Sequence, residues 1–159
     1  NHESPLRPTT FVTRKITNGA AKIKLGLSNE LVLGNLDARR DWGFAGDYVE
    51  AMWKMLQTDT ADDFVVATGE THSVLDFVTT AFNFAGLSGQ EDKYVKTDSH
   101  LLRPTEIHQL MGDPSKTSKV LDWNRSVDFE SLVKEMVAND FELLCKENGL
   151  TKPDVPAFN

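Results

Sequence analysis

A short apolar run followed by an amphipathic helix pattern, over residues 64–86, limits the folds open to this chain. Phe64 to Ala67 is continuous apolar sequence between a pair of aspartates and Gly69, which predicts a buried strand. Beyond a cap at Thr71 or Ser73, apolar residues recur at helical spacing up to Gly86, and glycine readily forms the turn that ends a helix. This strand and helix belong to an expected total of five helices and about three short strands.

A second helix is expected to begin near Asp47. Its apolar residues fall at i, i+3, i+4 and i+7, which predicts one inward stripe: Val49, Met52, Trp53 and Leu56. The other expected elements are helices over about 10–26, 114–121 and 129–148 and strands at Leu31–Leu33 and Lys93–Lys96.

The expected strands form a thin sheet. Parallel strands are normally covered on both faces, so this sheet is expected to be completed by strands upstream of Asn1. Residues 1–150 are predicted to form one domain, and residues 151–159, with two prolines, a tail.

Charge and composition exclude several classes of protein. The 159 residues include 17 basic and 24 acidic side chains, a net charge of −7 that argues against a nucleic-acid or anionic-membrane binder. No apolar run approaches the ~20 residues of a membrane helix. The single cysteine, Cys145, cannot form an intramolecular disulfide, which favours a reducing cytoplasm over secretion.

The net charge conceals an asymmetry. Residues 1–24 carry Arg7, Arg14, Lys15, Lys22 and Lys24 against Glu3 alone, so this segment is +4 and the remainder is −11. A focused cationic patch suits a small anionic ligand, and the alternative is a solvated helix face with lysines around it.

A self-contained catalytic or metal site is not predicted. The four histidines share no metal-ligand spacing with each other or with Cys145, and no G-x-G-x-x-G or Walker loop is present. The triplet Thr68-Gly69-Glu70 resembles a proton relay, but it lies at an expected strand-to-helix junction, where both side chains commonly cap the backbone. We favour that structural interpretation.

Two arginine motifs are better candidates for ligand contacts. Arg40 lies in Arg39-Arg40-Asp41-Trp42 and Arg103 in Arg103-Pro104-Thr105-Glu106, both in expected loops. A guanidinium matches phosphate oxygens, and the nearby Asp41 and Glu106 could orient it or accept from a ribose hydroxyl. With Lys15 these arginines could clamp a diphosphate. Surface salt bridges are the alternative.

Seven motifs, in order, resemble the GDP-mannose 4,6-dehydratases, a family of extended short-chain dehydrogenases/reductases. They are NHESP at 1–5, TFVTRKI at 10–16, LGNLDA at 33–38, RDWG at 40–43, DYVEAMW at 47–53, ATGETHSV at 67–74 and RPTE at 103–106. The resemblance implies the helix-rich, substrate-binding C-terminal half of an NAD(P)-binding Rossmann-like α/β fold, with the N-terminal Rossmann half absent. The catalytic Thr, Glu, Tyr and Lys are then expected upstream, and no Tyr-x-x-x-Lys occurs here.

The resemblance also implies an activity for the full-length protein. It is an NADP-dependent lyase that converts GDP-mannose to GDP-4-keto-6-deoxy-mannose and water, the first step of GDP-fucose and GDP-deoxyhexose synthesis, in a cytoplasmic homo-oligomer, a dimer or tetramer. This chain alone is predicted to be inactive. The alternatives are a non-catalytic nucleotide-sugar-binding module and a related GDP-sugar reductase or epimerase.

Site residues follow from the same resemblance, position by position. His2 and Arg7 are implied as NADP contacts, and the implied GDP-mannose contacts are Asn1, Val12, Lys15, Arg40, Arg103 and Glu106. The two arginines form the diphosphate clamp and Glu106 accepts from the ribose. Leu6 and Phe44 depart from the family pattern, where an arginine and a histidine or tyrosine are usual.

Overall fold

A computed structural model describes residues 1–102, 105 and 107–159. The helices are α1 (Val12–Lys24), α2 (Ala45–Met55), α3 (Val74–Phe84), α4 (Glu91–Tyr94), α5 (Ser115–Leu121) and α6 (Phe129–Asn148), with 3-10 turns at Ser99–Leu101 and Pro156–Phe158. The strands are β1 (His2–Glu3), β2 (Leu31–Leu33), β3 (Arg39–Arg40), β4 (Gly43–Phe44), β5 (His72–Ser73), β6 (Val95–Thr97) and β7 (Gln109–Leu110). The arginine pair at 39–40, expected in a loop, therefore forms a short strand, and the helix expected from about Asp47 begins at Ala45.

The core lies between α1, α3 and α6. Each contributes apolar residues at helical spacing, and Ile16, Phe77, Val133 and Phe141 have no exposed surface. Ser73 caps α3 in a reciprocal box with Asp76, and Gly149 ends α6 at a φ of 64°. These two helices have the bounds that their sequence patterns predict.

The described strands form three small sheets in place of one thin sheet. β1 pairs with β4 and β2 with β6, both in parallel. In the third sheet β3 lies between β5, which is antiparallel to it, and β7, which is parallel. The strand expected at Lys93–Lys96 is displaced, since Glu91–Tyr94 is a helical turn and pairing begins at Val95.

The expected strand at Phe64–Ala67 does not form among the described residues. The segment lacks the ladder partner that defines a strand, and Val65 is 55% exposed. Side chains of α5 hold it instead, with Thr117 Oγ1 donating to the Val65 carbonyl at 2.6 Å. The prediction of a buried strand was wrong because an apolar run does not supply its own pairing partner.

The inward stripe predicted for α2 was also wrong. Val49, Met52, Trp53 and Leu56 are between 50% and 82% exposed, and the buried face carries Asp47, Tyr48 and Ala51. The helix is turned so that Ala51 packs against Leu121 and Trp123.

The last nine residues return to the core. Val155 and Ala157 are buried beside α6, and Phe158 packs on Phe141 with ring centroids 5.7 Å apart. Residues 151–159 therefore pack as part of the fold and do not extend from it as the expected tail.

Candidate functional site

A cavity of about 590 Å³ opens beside the N-terminal loop. The loop, the first turn of α1, the end of β2 and β3 form its walls, and Trp42 and Val74 contribute apolar surface. These segments come together because α1 packs on β2 and on α3.

Five of the predicted site residues line this cavity, and they come from two distant parts of the sequence. They are Asn1, Arg7, Val12, Lys15 and Arg40. Arg103 and Glu106 lie outside the described residues. His2 lies elsewhere, because side chains alternate along a strand; its ring packs on Tyr48, with centroids 5.3 Å apart.

Arg7 is held on two sides. Its guanidinium carbon lies 3.5 Å from the centre of the Phe11 ring, a cation–π contact. Its Nε lies 3.4 Å from Glu3 Oε2, a salt bridge that is longer than a hydrogen bond. The Nε atom is buried and has no hydrogen-bond partner.

Glu3 is a cavity residue that we did not predict. Its carboxylate is buried and accepts a hydrogen bond from Thr13 Oγ1 at 2.7 Å. Burial raises the pKa of Glu3, against the lowering effects of Thr13 and Arg7. A signal was available, since Glu3 is the only acid in the first 24 residues.

Arg40 reaches the cavity from β3. Its Nη1 donates to the carbonyls of Ile107, at 2.7 Å, and Arg39, at 2.8 Å. The neighbouring Arg39 turns away and bonds to Thr71 and Asp76 on the α3 side. Only one arginine of the pair therefore lines the cavity.

Asp41 does not orient Arg40 as we expected. It is 3% exposed, and its two oxygens accept from the backbone N–H groups of Thr68, Gly69 and Gly112 and from the Thr68 hydroxyl. The carboxylate therefore fixes the turn at Thr68-Gly69. Glu70 forms a bidentate salt bridge with Arg125. Thr68 therefore has the local role that we expected, since its hydroxyl accepts from the Glu70 backbone N–H, whereas the Glu70 side chain pairs with Arg125 and does not cap the backbone.

Fewer of the basic side chains of residues 1–24 reach the cavity than the net charge of this segment suggests. Arg14 is buried in a bidentate pair with Asp140, at 2.6 and 3.2 Å, and Thr17 donates to the same carboxylate. Lys24 donates to the Gly86 carbonyl. Of the five basic residues, Arg7 and Lys15 line the cavity.

Arg14 also shapes the cavity from behind. Its Nη1 donates to the carbonyl of Pro5 and, at 2.8 Å, to that of Arg7. The backbone of the loop that carries Arg7 is thereby fixed to α6 through Asp140.

Residues 1–102, 105 and 107–159 contain no group of three His, Cys, Asp or Glu side chains arranged to hold a metal ion. This part of the chain also contains no helix with the length and apolar character needed to span a membrane.

Comparison with known proteins identifies the family. The model of the family described as GDP-mannose 4,6 dehydratase matches residues 1–136. The chain belongs to the GDP-mannose 4,6-dehydratase family.

Curated members of the GDP-mannose 4,6-dehydratase family are similar along nearly the whole chain. GDP-mannose 4,6 dehydratase 2 of Arabidopsis thaliana is 53% identical over 150 residues, which cover 94% of this chain and 40% of the relative. The Homo sapiens GDP-mannose 4,6 dehydratase is 48% identical over 159 aligned positions, covering 91% of this chain and 43% of the relative. The chain thus spans less than half the length of these relatives.

Solved structures show the same fold at low identity. RMD from Pseudomonas aeruginosa, in complex with NADPH, has a TM-score of 0.80 and 19% identity over 90% of this chain and 46% of its own. The dTDP-glucose 4,6-dehydratase of Bacillus anthracis, in complex with NAD, has a TM-score of 0.72 and 15% identity, covering 92% and 43% of the two chains. The predicted α/β fold is confirmed, and it corresponds to less than half of the chain in each of these structures.

Proposed function

We propose that the cavity binds GDP-mannose. Lys15 and Arg40 contact the diphosphate, and Asn1 and Val12 contact the sugar nucleotide. The observation that carries the proposal is that these four residues, separated by up to 39 positions, line one cavity in a chain of this family. Arg103 and Glu106 remain predicted contacts, as the second clamp arginine and the ribose acceptor.

Cation chemistry supports the clamp. Arg40 presents a planar fork that matches phosphate oxygens, and two carbonyl acceptors fix its position. Lys15 supplies a second positive charge from α1. Together they offset a diphosphate charge in a cavity that is partly walled by apolar side chains.

We further propose that the full-length protein is a GDP-mannose 4,6-dehydratase, a lyase that forms GDP-4-keto-6-deoxy-mannose and water. NADP is the proposed cofactor, and when bound it accepts a hydride from the sugar and returns it. The residues of this chain bind and orient the substrate. The relatives' shared name and their identity of about half the aligned residues support the assignment.

The fit of NADP to this chain is limited to one edge of the cofactor. Arg7 has a charge that suits a phosphate, and it lines the cavity. His2 packs on Tyr48 and does not line the cavity, so it does not join Arg7 there. Because the sequence contains no glycine-rich phosphate loop, we propose that the chain alone neither holds the dinucleotide nor catalyses the reaction.

Calorimetry with the purified chain tests the substrate assignment. We expect Arg40→Ala to weaken GDP-mannose binding by about 1.5–3 kcal/mol, since a hydrogen bond to a charged group contributes that much, and Arg40→Lys to recover part of the loss. Arg39→Ala is the matched control, because the neighbouring guanidinium bonds away from the cavity. Unchanged affinity in Arg40→Ala would contradict the clamp.

A comparison of GDP, UDP and ADP tests which nucleotide base the cavity selects. The family assignment implies that GDP binds more tightly than UDP or ADP, and equal affinities would contradict guanine selectivity. GDP-mannose binding without guanine selectivity would favour a general nucleotide-sugar module.

A chimera tests the enzyme assignment. Residues 1–150 of this chain replace the aligned segment of the Arabidopsis relative, and the 4-keto product is measured with GDP-mannose and NADP. We expect turnover by the chimera and none by the 159-residue chain alone. A chimera that binds GDP-mannose but forms another product would favour the reductase or epimerase alternative, and product from the chain alone would show that the chemistry lies within it.

We also propose a cytoplasmic location and assembly as a homo-oligomer. The free, buried Cys145 and the exposed apolar face of α2 support these two assignments. Cell fractionation and sedimentation of the full-length protein test them.

A further inference from the structure

An acid lies in a cavity whose other charged walls are basic. Among the described lining residues Arg7, Lys15 and Arg40 are cationic, and Glu3 is the acid. The side chain of Glu3 is 4% exposed. A buried carboxylate lowers stability unless it is well paired, so the contacts of Glu3 show what it does.

Glu3 has two polar neighbours, one on α1 and one on the N-terminal loop. Thr13 Oγ1 donates to Oε2 at 2.7 Å, and Arg7 Nε lies 3.4 Å from the same oxygen. The Thr13 contact is a hydrogen bond of ordinary length, whereas the Arg7 contact is an ion pair. Glu3 therefore sets the position of the guanidinium mainly through charge.

Arg7 is restrained from three directions. Phe11 lies under the plane of the guanidinium, Arg14 holds the backbone carbonyl, and Glu3 faces the Nε edge. A guanidinium has five N–H donors, and the other four are on its two Nη atoms. Nε lies beside the Glu3 carboxylate as an ion pair, without a hydrogen bond, and the four Nη donors are the ones available to a ligand.

We propose that Glu3 is a positioning residue, whose carboxylate holds the Arg7 guanidinium in the orientation in which its Nη groups meet a phosphate of the bound ligand. The inference rests on the proposed function, which supplies a phosphate-bearing ligand. It adds a residue that contacts Arg7 and not the ligand.

The effect of Glu3 on stability supports a functional role. Burial raises its pKa, although Thr13, Arg7, His2 and the α-amino group of Asn1 act in the opposite direction. An acid with a raised pKa binds protons more readily in the folded state, so stability rises as pH falls through the window between its ordinary and raised pKa. Ionised Glu3 therefore lowers the stability of the fold. Replacing it with a neutral side chain should not lower the stability further.

Four variants test the proposal by calorimetry, with GDP-mannose on the 159-residue chain and, separately, with NADP on the chimera with the Arabidopsis relative. They are Glu3→Gln, Glu3→Asp, Arg7→Ala and the double variant Glu3→Gln/Arg7→Ala. We expect Glu3→Gln to weaken whichever ligand Arg7→Ala weakens, by about three- to tenfold, and to add nothing in the double variant. Glu3→Asp keeps the charge and should recover part of the affinity.

Melting temperature separates positioning from a structural role. Glu3→Gln should melt no lower than the parent chain. Thr13→Val is the control, because it removes the hydrogen bond and leaves the charge beside Arg7; it should lower the melting temperature and change affinity less. The proposal is overturned by full affinity in Glu3→Gln or in Arg7→Ala, by additive losses in the double variant, or by equal affinity losses in Glu3→Gln and Thr13→Val.

A ligand-free measurement keeps this inference separate from the proposed function. The NMR order parameter of the Arg7 Nε–Hε bond should fall in Glu3→Gln and stay unchanged in Thr13→Val. If the parent chain does not bind GDP-mannose, the proposed binding function fails, and the order parameter still decides whether Glu3 holds Arg7. An order parameter that is equal in Glu3→Gln and the parent chain would overturn the inference.

Discussion

Helices α2 and α3 have similar apolar spacing and opposite surroundings. The stripe of α3, at Phe77, Val78, Ala81 and Phe82, has no exposed surface, whereas Trp53 on α2 is 60% exposed. Helical periodicity therefore indicates that a face is apolar and leaves open what covers it.

The two helices are also fastened by different interactions. α3 packs through apolar side chains against α1 and α6. α2 is held largely by Asp47, whose carboxylate accepts from the backbone N–H of Ser126 at 3.0 Å and whose carbonyl accepts from Trp123 Nε1 at 2.8 Å. Lys54 adds a bond to the Asp122 carbonyl. We therefore expect the stability of the fold to depend on apolar side chains in α3 and on polar side chains in α2.

Phe77→Ala should have the largest effect on stability. Phe77 is fully buried between Trp42 and Phe129, so truncation leaves a cavity and should lower the free energy of unfolding by about 3–5 kcal/mol. Urea denaturation measures it. Val49→Ala, on the exposed face of α2, is the control, and a loss below about 1 kcal/mol in Phe77→Ala would contradict the packing described for α3.

Asp47→Ala should have the next largest effect. It removes the charged acceptor that fastens α2 to the segment before α6, and we expect a loss of about 1.5–3 kcal/mol in the same denaturation experiment. Glu50→Ala removes an exposed acid of the same helix and should change little. Equal effects of the two substitutions would show that α2 does not depend on its buried carboxylate.

Ser73→Ala tests the start of α3. The Ser73 hydroxyl accepts from Asp76 N at 2.9 Å, and loss of such a cap typically lowers stability by about 1 kcal/mol. Thr71, the alternative cap in the sequence, accepts a hydrogen bond from Arg39 instead, so Thr71→Ala should lower stability less than Ser73→Ala does. The melting temperatures of the two variants test this expectation. A lower melting temperature for Thr71→Ala than for Ser73→Ala would place the cap at Thr71.

Trp53→Ala should have the smallest effect on the free energy of unfolding, within about 0.5 kcal/mol, because the side chain is mostly exposed. It should reduce self-association of the chain, since an exposed apolar face favours contact between molecules. Sedimentation velocity across a concentration series measures that association. A loss of stability above about 1 kcal/mol would mean that the face is covered within one molecule.

Local patterns predicted the helices well. α6 spans Phe129–Asn148 as expected, because its cap, its apolar spacing and Gly149 all lie within one segment. The strand at Leu31–Leu33 was also predicted, although its partner β6 was placed two residues too early. Signals that depend on neighbouring residues were enough for these elements.

Long-range contacts were not predictable from the sequence. Arg14 lies in a basic segment and was counted as part of a cationic patch, yet its partner Asp140 is 126 residues away. Val65 and Trp53 were expected inside because they are apolar, and no local signal reports whether another segment covers them. For the candidate site, the family motifs pointed to Asn1, Arg7, Val12, Lys15 and Arg40, which share a cavity, but not to Glu3.

The link from Arg14 to Asp140 bears on the order in which the cavity can form during synthesis. Arg14 fixes the carbonyls of Pro5 and Arg7, and it is itself held by a carboxylate on α6. Because ribosomes make proteins from the N-terminus, all the described cations of the cavity emerge well before Asp140 does. A nascent chain that stops short of α6 therefore displays the charges of the cavity without their arrangement, and this arrangement is completed only after α6 has been translated.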